Sequence, residues 1–142
     1  MTVAAILEAK GRNVVTVDCA APLREAVRLL AEHRIGAVVA LEAGAVAGIL
    51  SERDLAYCMA KKGAAALDQP ISRVMTAPVI TVESTVSALA ALSSMSKRRI
   101  RHLPVVDDGQ LAGLVSIGDL VAFRIRRIEE EAEAMRAYIQ GV

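Results

Sequence analysis

Gly48-Ile-Leu-Ser-Glu-Arg-Asp-Leu55 reads as a strand running straight into a helix, and Gly113-Leu-Val-Ser-Ile-Gly-Asp-Leu120 has the same form 65 residues later. Both stretches write glycine, two aliphatics, serine, two variable residues, aspartate and leucine. Laid on itself at that offset, the chain aligns without a gap over residues 12–56 and 77–121. Val14, Thr16, Val17, Ala26, Arg34, Ile35, Gly44, Ala47, Gly48, Ser51, Asp54 and Leu55 each meet their own kind, twelve identities in 45 positions. They cluster at punctuation and polar positions rather than at interchangeable aliphatics, so an internal duplication is the best explanation.

Each copy reads as β-α-β-β-α. Val14-Val-Thr-Val17 and Val79-Ile-Thr-Val82 are short β-branched runs, hence strands. The helix after the first has Pro22 in its first turn and one apolar face of Leu23, Ala26, Val27 and Leu30. Its counterpart carries Leu89, Leu92 and Met95 behind Thr85 as N-cap. Strand pairs follow at 35–41 with 46–50 and at 100–106 with 111–115, joined by Glu-Ala-Gly and Asp-Asp-Gly, the latter a strong hairpin signal. A helix from Glu52 to Lys62 stops at Gly63, with Lys61 and Lys62 in its last turn. Glycines 48 and 113 fit a tight turn. Residues 61–75 read as a linker, broken at Pro70. Neither copy can cover both faces of its sheet alone. The expected fold is therefore α/β (α+β), two β-α-β-β-α repeats over 1–68 and 69–124 packed sheet to sheet with pseudo-two-fold symmetry, plus a C-terminal helix over 120–142.

The bulk composition narrows function. The chain has 142 residues, 54% hydrophobic with only three aromatics, so its core is aliphatic. Seventeen basic and sixteen acidic residues leave a net charge of +1, no field for nucleic acid or an anionic membrane. The apolar region 35–50 is interrupted by Glu42 and three glycines and does not read as a membrane span. The start lacks the order of a signal peptide, and Cys19 and Cys58 stand alone without metal-ligand spacing. A reducing cytoplasm is the expected location, with both thiols as small buried hydrophobes.

The repeated motif admits two readings. Ser51 with Asp54, and Ser116 with Asp119, fit a capping box in which Asp replaces the usual Glu. A helix N-terminus entered from a strand also presents free N–H groups to a phosphate, and a carboxylate three residues in can take both hydroxyls of a ribose. Thr16 and Thr81 can offer a hydroxyl and adjacent backbone to a base edge, and Ile35, Val38, Ile100 and Leu103 an apolar slot. The set is nucleoside-shaped and occurs twice.

Thr in a leading strand, then an apolar run such as Arg101-His-Leu-Pro-Val-Val-Asp-Asp-Gly-Gln-Leu-Ala-Gly-Leu-Val-Ser-Ile-Gly-Asp-Leu120, then Gly-h-h-Ser-x-x-Asp, resembles the cystathionine-β-synthase (CBS) domain. Two in tandem resemble a CBS pair, or Bateman module, over roughly residues 3 to 125. The resemblance implies a disc with two clefts between the repeats that bind adenosine derivatives: AMP, ADP or ATP, and in some members NAD(H) or S-adenosylmethionine. It implies that Asp54 and Asp119 take the ribose, that Ser51 and Ser116 sit by ribose or phosphate, and that Thr16 and Thr81, with Val17 and Val82, flank the adenine. Copy one reads Ile35-Gly-Ala-Val-Val-Ala-Leu41 where copy two has Ile100-Arg-His-Leu-Pro-Val-Val106, and it has Arg53 where copy two has Gly118. The clefts are thus expected to differ. The candidate ligand-binding set is Thr16, Val17, Ile35, Val38, Ser51, Arg53 and Asp54 with Thr81, Val82, Ile100, Arg101, His102, Leu103, Pro104, Ser116 and Asp119.

The basic run 97–102 reads either as a solvated helix end or, through Arg101 or His102, as a partner for phosphate. Nucleic-acid binding is disfavoured by the shortage of aromatic platforms for stacking. His33 reads as an ordinary helix-end residue. In the tail, Val121, Ile125, Ile128, Ala132, Met135 and Ile139 recur at heptad spacing, and such a stripe needs a partner. Paired discs in the resembling family point to a homodimer joined through the tails. Catalysis is not expected, since two histidines, two lone cysteines and aspartates in separate repeats do not assemble an acid–base or nucleophilic set. Two functions stand. One is a free-standing regulatory adenine-nucleotide module for energy sensing that signals to an unknown effector protein. The alternative is a dimeric structural or interaction scaffold with ligand-free clefts, in which Ser-x-x-Asp survives as helix caps.

Overall fold

The computed structural model describes residues 1–141. Ten regular elements run α1 (Val3–Lys10), β1 (Thr16–Asp18), α2 (Leu23–His33), β2 (Ala37–Glu42), β3 (Ala45–Ser51), α3 (Glu52–Lys62), α4 (Ala88–Arg98), β4 (His102–Asp107), β5 (Gln110–Ser116) and α5 (Ile117–Ile139). Short 3-10 turns occupy Gly63–Asp68 and Ile71–Arg73. In the first sheet β1 runs parallel to β2, and β2 is antiparallel to β3. β4 and β5 form the second sheet, and β3 touches β5 where the repeats meet. The mixed α and β architecture of two related halves and a C-terminal helix is the one expected.

The duplication is visible in matched local geometry. Both hairpins turn through two positive-φ residues, Ala43 and Gly44 in one and Asp108 and Gly109 in the other, the backbone of a type I′ turn. Each hairpin also carries a bulge at the equivalent place, Ala40/Leu41 and Val105/Val106. The identical pair Arg34 and Arg99 closes α2 and α4 in the left-handed conformation.

The second sheet departs from expectation. Val79–Val82 is not a strand; only Val82 bridges to Val105, the counterpart of Val17 beside Ala40. Two rungs are lost: the Ser84 N–H, equivalent to the Cys19 N–H that donates to the Leu41 carbonyl, goes to Asp107 Oδ1 at 2.9 Å instead, and the other fails at Pro104. In the first repeat the Val39 N–H donates to the Val15 carbonyl. Position 39 corresponds to Pro104, which has no N–H to give, so that rung of the ladder is lost. The cap of α4 is Ser87 rather than Thr85: its hydroxyl accepts the Ala90 N–H at 3.0 Å. The buried face of α4 is Ala91 and Met95, with Leu89 exposed.

Residues 61–75 are more than a linker. Ala66 and Ile71, both wholly buried, belong to the first core with Leu23, Ala26, Leu30, Val38 and Leu50. Val3, Ile6 and Leu7 of α1 belong to the second, with Met95, Leu103, Val105, Val115 and Leu120. Each repeat's leading segment therefore completes the other repeat's core. Burial of a side chain such as Leu7 or Ile71 contributes roughly 1.5–3 kcal/mol, so the exchange ties the halves together.

The exchange also explains the paired glycines. Gly48 and Gly113 lie inside β3 and β5, not at turns. A Cβ on Gly48 would come within 2.6 Å of Met75 Sδ and 2.9 Å of the Thr76 carbonyl, and one on Gly113 within 2.6 Å of Leu7 Cδ2. At both positions the entering segment lies against bare backbone.

Candidate functional site

Both capping boxes form. Ser51 Oγ accepts the Asp54 N–H at 3.3 Å, and Asp54 Oδ2 accepts the Ser51 N–H at 3.0 Å. Ser116 Oγ accepts the Asp119 N–H at 3.1 Å, and Asp119 Oδ2 accepts the Ser116 N–H at 2.8 Å. Capping therefore fixes each aspartate at the first turn of a helix entered from a strand. It does not exhaust the carboxylate, which has about four acceptor sites.

At α3 that carboxylate borders a cavity of about 350 Å³ between the repeats. One wall is Ile49, Ser51, Glu52, Arg53 and Asp54 with Gly36; the other is Thr76, Pro78, Val79, Ile80, Ile100, Arg101 and His102. Thr76 donates its hydroxyl to Asp54 Oδ1 at 3.1 Å, and its backbone pairs with Ile49 in both directions at 2.9 and 3.1 Å. The segment around Thr76 is thus sewn to β3 at one end. At the other, Val82 hydrogen-bonds to the backbone of Pro104 and Val106 in the second sheet.

Of the residues expected from sequence, the cavity gathers Ser51, Arg53, Asp54, Ile100, Arg101 and His102. Arg53 also donates to the Arg99 carbonyl at 3.2 Å, across to the end of α4. Val17 and Val38 are packed into the first core instead, and Leu103 into the second, with Val82 against it; Pro104 is buried in β4. Ile35 packs on the first core. Thr16 is half-buried within β1, and Thr81 is exposed and outside the cavity lining. Gly36, Ile49, Glu52, Thr76, Pro78, Val79 and Ile80 also line the cavity and lie outside the set expected from sequence. The one sequence signal toward them is that residues 76–80 lie where the offset equates them with residues 11–15, leading into the repeated β-branched run.

Ser116 and Asp119 lie at the other end of the interface, and their surroundings differ. Lys10 places its Nζ 2.6 Å from Asp119 Oδ2 and 2.9 Å from the Leu114 carbonyl. Burial raises the Asp119 carboxyl, but the Lys10 and Ser116 hydrogen bonds and the Lys10 charge outweigh it and hold the group below the usual range. His102 faces both ends. Burial pushes its imidazole below the ordinary value, opposed by the charges of Asp119 and Glu52 and reinforced by those of Lys10 and Arg101. At neutral pH it is therefore an uncharged hydrogen-bonding group in the cavity wall. Arg101 is exposed and carries the cation.

Among the described residues no helix is long and apolar enough to cross a membrane, and no three His, Cys, Asp or Glu gather as metal ligands.

Comparison with known proteins agrees with this geometry. The chain is 36% identical over 122 residues to the CBS domain-containing protein CBSX3, mitochondrial, of Arabidopsis thaliana, covering 82% of this chain and 59% of that one. It spans about a quarter of longer plant relatives. Its fold superposes with a TM-score of 0.83 and 43% identity on the CBS-domain containing protein ATU1752 from Agrobacterium tumefaciens, over 87% of this chain and 92% of that one. The CBS domain pair of protein MJ0100, solved with 5′-methylthioadenosine and S-adenosyl-L-methionine, gives a TM-score of 0.80 at 26% identity, over 89% and 98% of the two chains. The family model of the CBS domain matches twice, over residues 7–61 and 71–126, and the chain belongs to that family as a tandem CBS pair.

Proposed function

We propose that this CBS pair is a regulatory module that binds an adenosine-containing nucleotide in the Asp54 cleft and signals its occupancy to a partner protein. The observation that supports it most is the cavity beside the capped α3 terminus, which joins a carboxylate, a cation and an aliphatic wall. Asp54 suits a ribose diol, Arg101 an attached phosphate, and Ile80 and Ile100 the faces of a base. The adenosine derivatives bound by the MJ0100 pair support this ligand class. AMP, ADP or ATP fits best, because Arg101 offers a charge that an uncharged nucleoside would leave unused.

Residues 71–82 give such a ligand a lever. They fill the first core at Ile71, line the cleft at Thr76, Pro78, Val79 and Ile80 and end on the second sheet at Val82. A nucleotide held between Asp54 and this strap favours one spacing of the two halves, and a partner that prefers that spacing reads it.

The module works as a homodimer in this reading. Leu89, Val121, Ile125, Ile128, Met135, Tyr138 and Ile139 are exposed on α4 and α5, an apolar stripe that a second copy would cover. Both cysteines are free thiols, in keeping with a reducing compartment such as the cytoplasm.

The test is isothermal titration calorimetry with AMP, ADP, ATP, NADH and S-adenosylmethionine against wild type and Asp54→Ala. Binding of at least one ligand, weakened tenfold or more in Asp54→Ala, is the expected result. A folded protein that binds none of them would move the assignment to a dimeric scaffold with empty clefts.

A further inference from the structure

The two aspartates of the duplicated motif have opposite partners. Asp54 meets the neutral hydroxyl of Thr76, whereas Asp119 meets the ammonium of Lys10. The 65-residue offset equates Lys10 with Met75 and Gly11 with Thr76. Met75 turns its sulfur onto Gly48 and has no charge to offer a carboxylate. The difference is therefore built into equivalent positions of the leading segments.

We infer that Lys10 is an internal occupant of the second cleft, filling the ribose position at Asp119, so that the pair binds a single nucleotide per chain, at Asp54. This rests on the nucleotide reading above. Ribose hydroxyls are neutral donors, and the Lys10–Asp119 contact is charge-assisted at 2.6 Å. A ligand displacing it would have to break that contact and disturb the bond that Lys10 also donates to the Leu114 carbonyl. The lysine is held in place by its helix: Val3, Ile6 and Leu7 lock α1 into the second core. Lys10 therefore competes at the high effective concentration of a tethered group, while a diffusing nucleotide must be ordered first. The Asp54 end has no such competitor, and it borders the cavity that Arg101 and His102 also line.

The residue used by the other repeat supplies the test. AMP, 5′-methylthioadenosine and S-adenosylmethionine are titrated calorimetrically into wild type, Lys10→Met, Lys10→Gln, Asp54→Ala and Lys10→Met/Asp54→Ala, with far-UV circular dichroism checking the fold of each. Wild type should bind one ligand per chain, with affinity lost in Asp54→Ala. Lys10→Met should open a second site, and Lys10→Met/Asp54→Ala should keep that site alone. Lys10→Gln, which retains a hydrogen-bonding side chain without the charge, serves if the methionine variant does not fold. Two ligands on wild type, or a single site in a folded Lys10 variant, would each overturn the inference while leaving nucleotide binding intact. No binding by wild type or any variant would overturn the nucleotide reading and this inference with it.

Discussion

Gly48→Ala tests the joint between the repeats and the wall of the cleft in one substitution. Gly48 sits in β3, opposite Ala40, with a backbone conformation that alanine also adopts, so any cost is steric. The new methyl would meet Met75 Sδ at 2.6 Å and Cγ at 2.9 Å, which the thioether can relieve by turning away. It would also meet the Thr76 carbonyl at 2.9 Å, and that oxygen cannot move alone because it accepts the Ile49 N–H at 3.1 Å. Overpacking of this kind costs roughly 1–3 kcal/mol. Strain on the two Ile49–Thr76 backbone bonds adds up to about 1 kcal/mol each. The expected loss is about 2–4 kcal/mol by urea denaturation, or roughly 10 °C in Tm for a chain of this size. Met75→Ala in the same chain should recover the side-chain share and leave the carbonyl share. Because Thr76 carries the hydroxyl on Asp54, nucleotide affinity should fall as well. A Gly48→Ala protein within 0.5 kcal/mol of wild type would refute the close approach and the strap drawn from it.

Two further outcomes follow from the same contacts. His102 has a folded-state value below its ordinary 6.5, so between the two values the unfolded chain holds more protons and stability falls as pH drops below about 6.5; His102→Gln should flatten that part of a pH–Tm profile, and an unchanged slope would assign it to other groups than the one facing Asp119, Glu52, Lys10 and Arg101. Polar substitution of Ile128 and Met135, half or more exposed on α5, should yield a monomer by light scattering, whereas an unchanged mass would remove the tail from the dimer contact.

How far the sequence could be read is clearest at three places. The capping boxes, the Asp-Gly hairpin and the stop at Gly63 are legible because each is set by residues within four positions of one another. The exchanged leading segments are not. Ile6 and Ile71 are an apolar pair at the repeat offset, but nothing in periodicity says whose core an apolar residue enters. The same gap separates core positions from cleft positions. Val17, Val38 and Leu103 are aliphatic in a strand-rich motif, and only the sheet-to-sheet arrangement decides that they face the cores while Ile80 and Ile100 face the cleft. Pro104 is a visible difference between the copies, yet its effect needs the register: position 39 must donate to Val15 before a proline in its place costs a rung of the ladder.

Duplication produces two equal clefts only while the residues that face each other across the interface stay alike, and here they have not. Gly36 and Ala37 correspond to Arg101 and His102, Gly11 to Thr76, and Lys10 to Met75. All of these sit in the leading segments or at the start of the central hairpins, where the repeats touch, and none lies in a capping box. The boxes are retained because both α3 and α5 need their first turns satisfied whether or not a ligand is present. A matched Ser-x-x-Asp is therefore weak evidence for a second binding site. The discriminating positions are those that decide what else the carboxylate touches: a hydroxyl that can yield to a ribose at one end, a tethered ammonium at the other. If Lys10 fills the second cleft as inferred above, the number of ligands this pair binds is set by the residues entering from the opposite repeat rather than by the motif that marks the site.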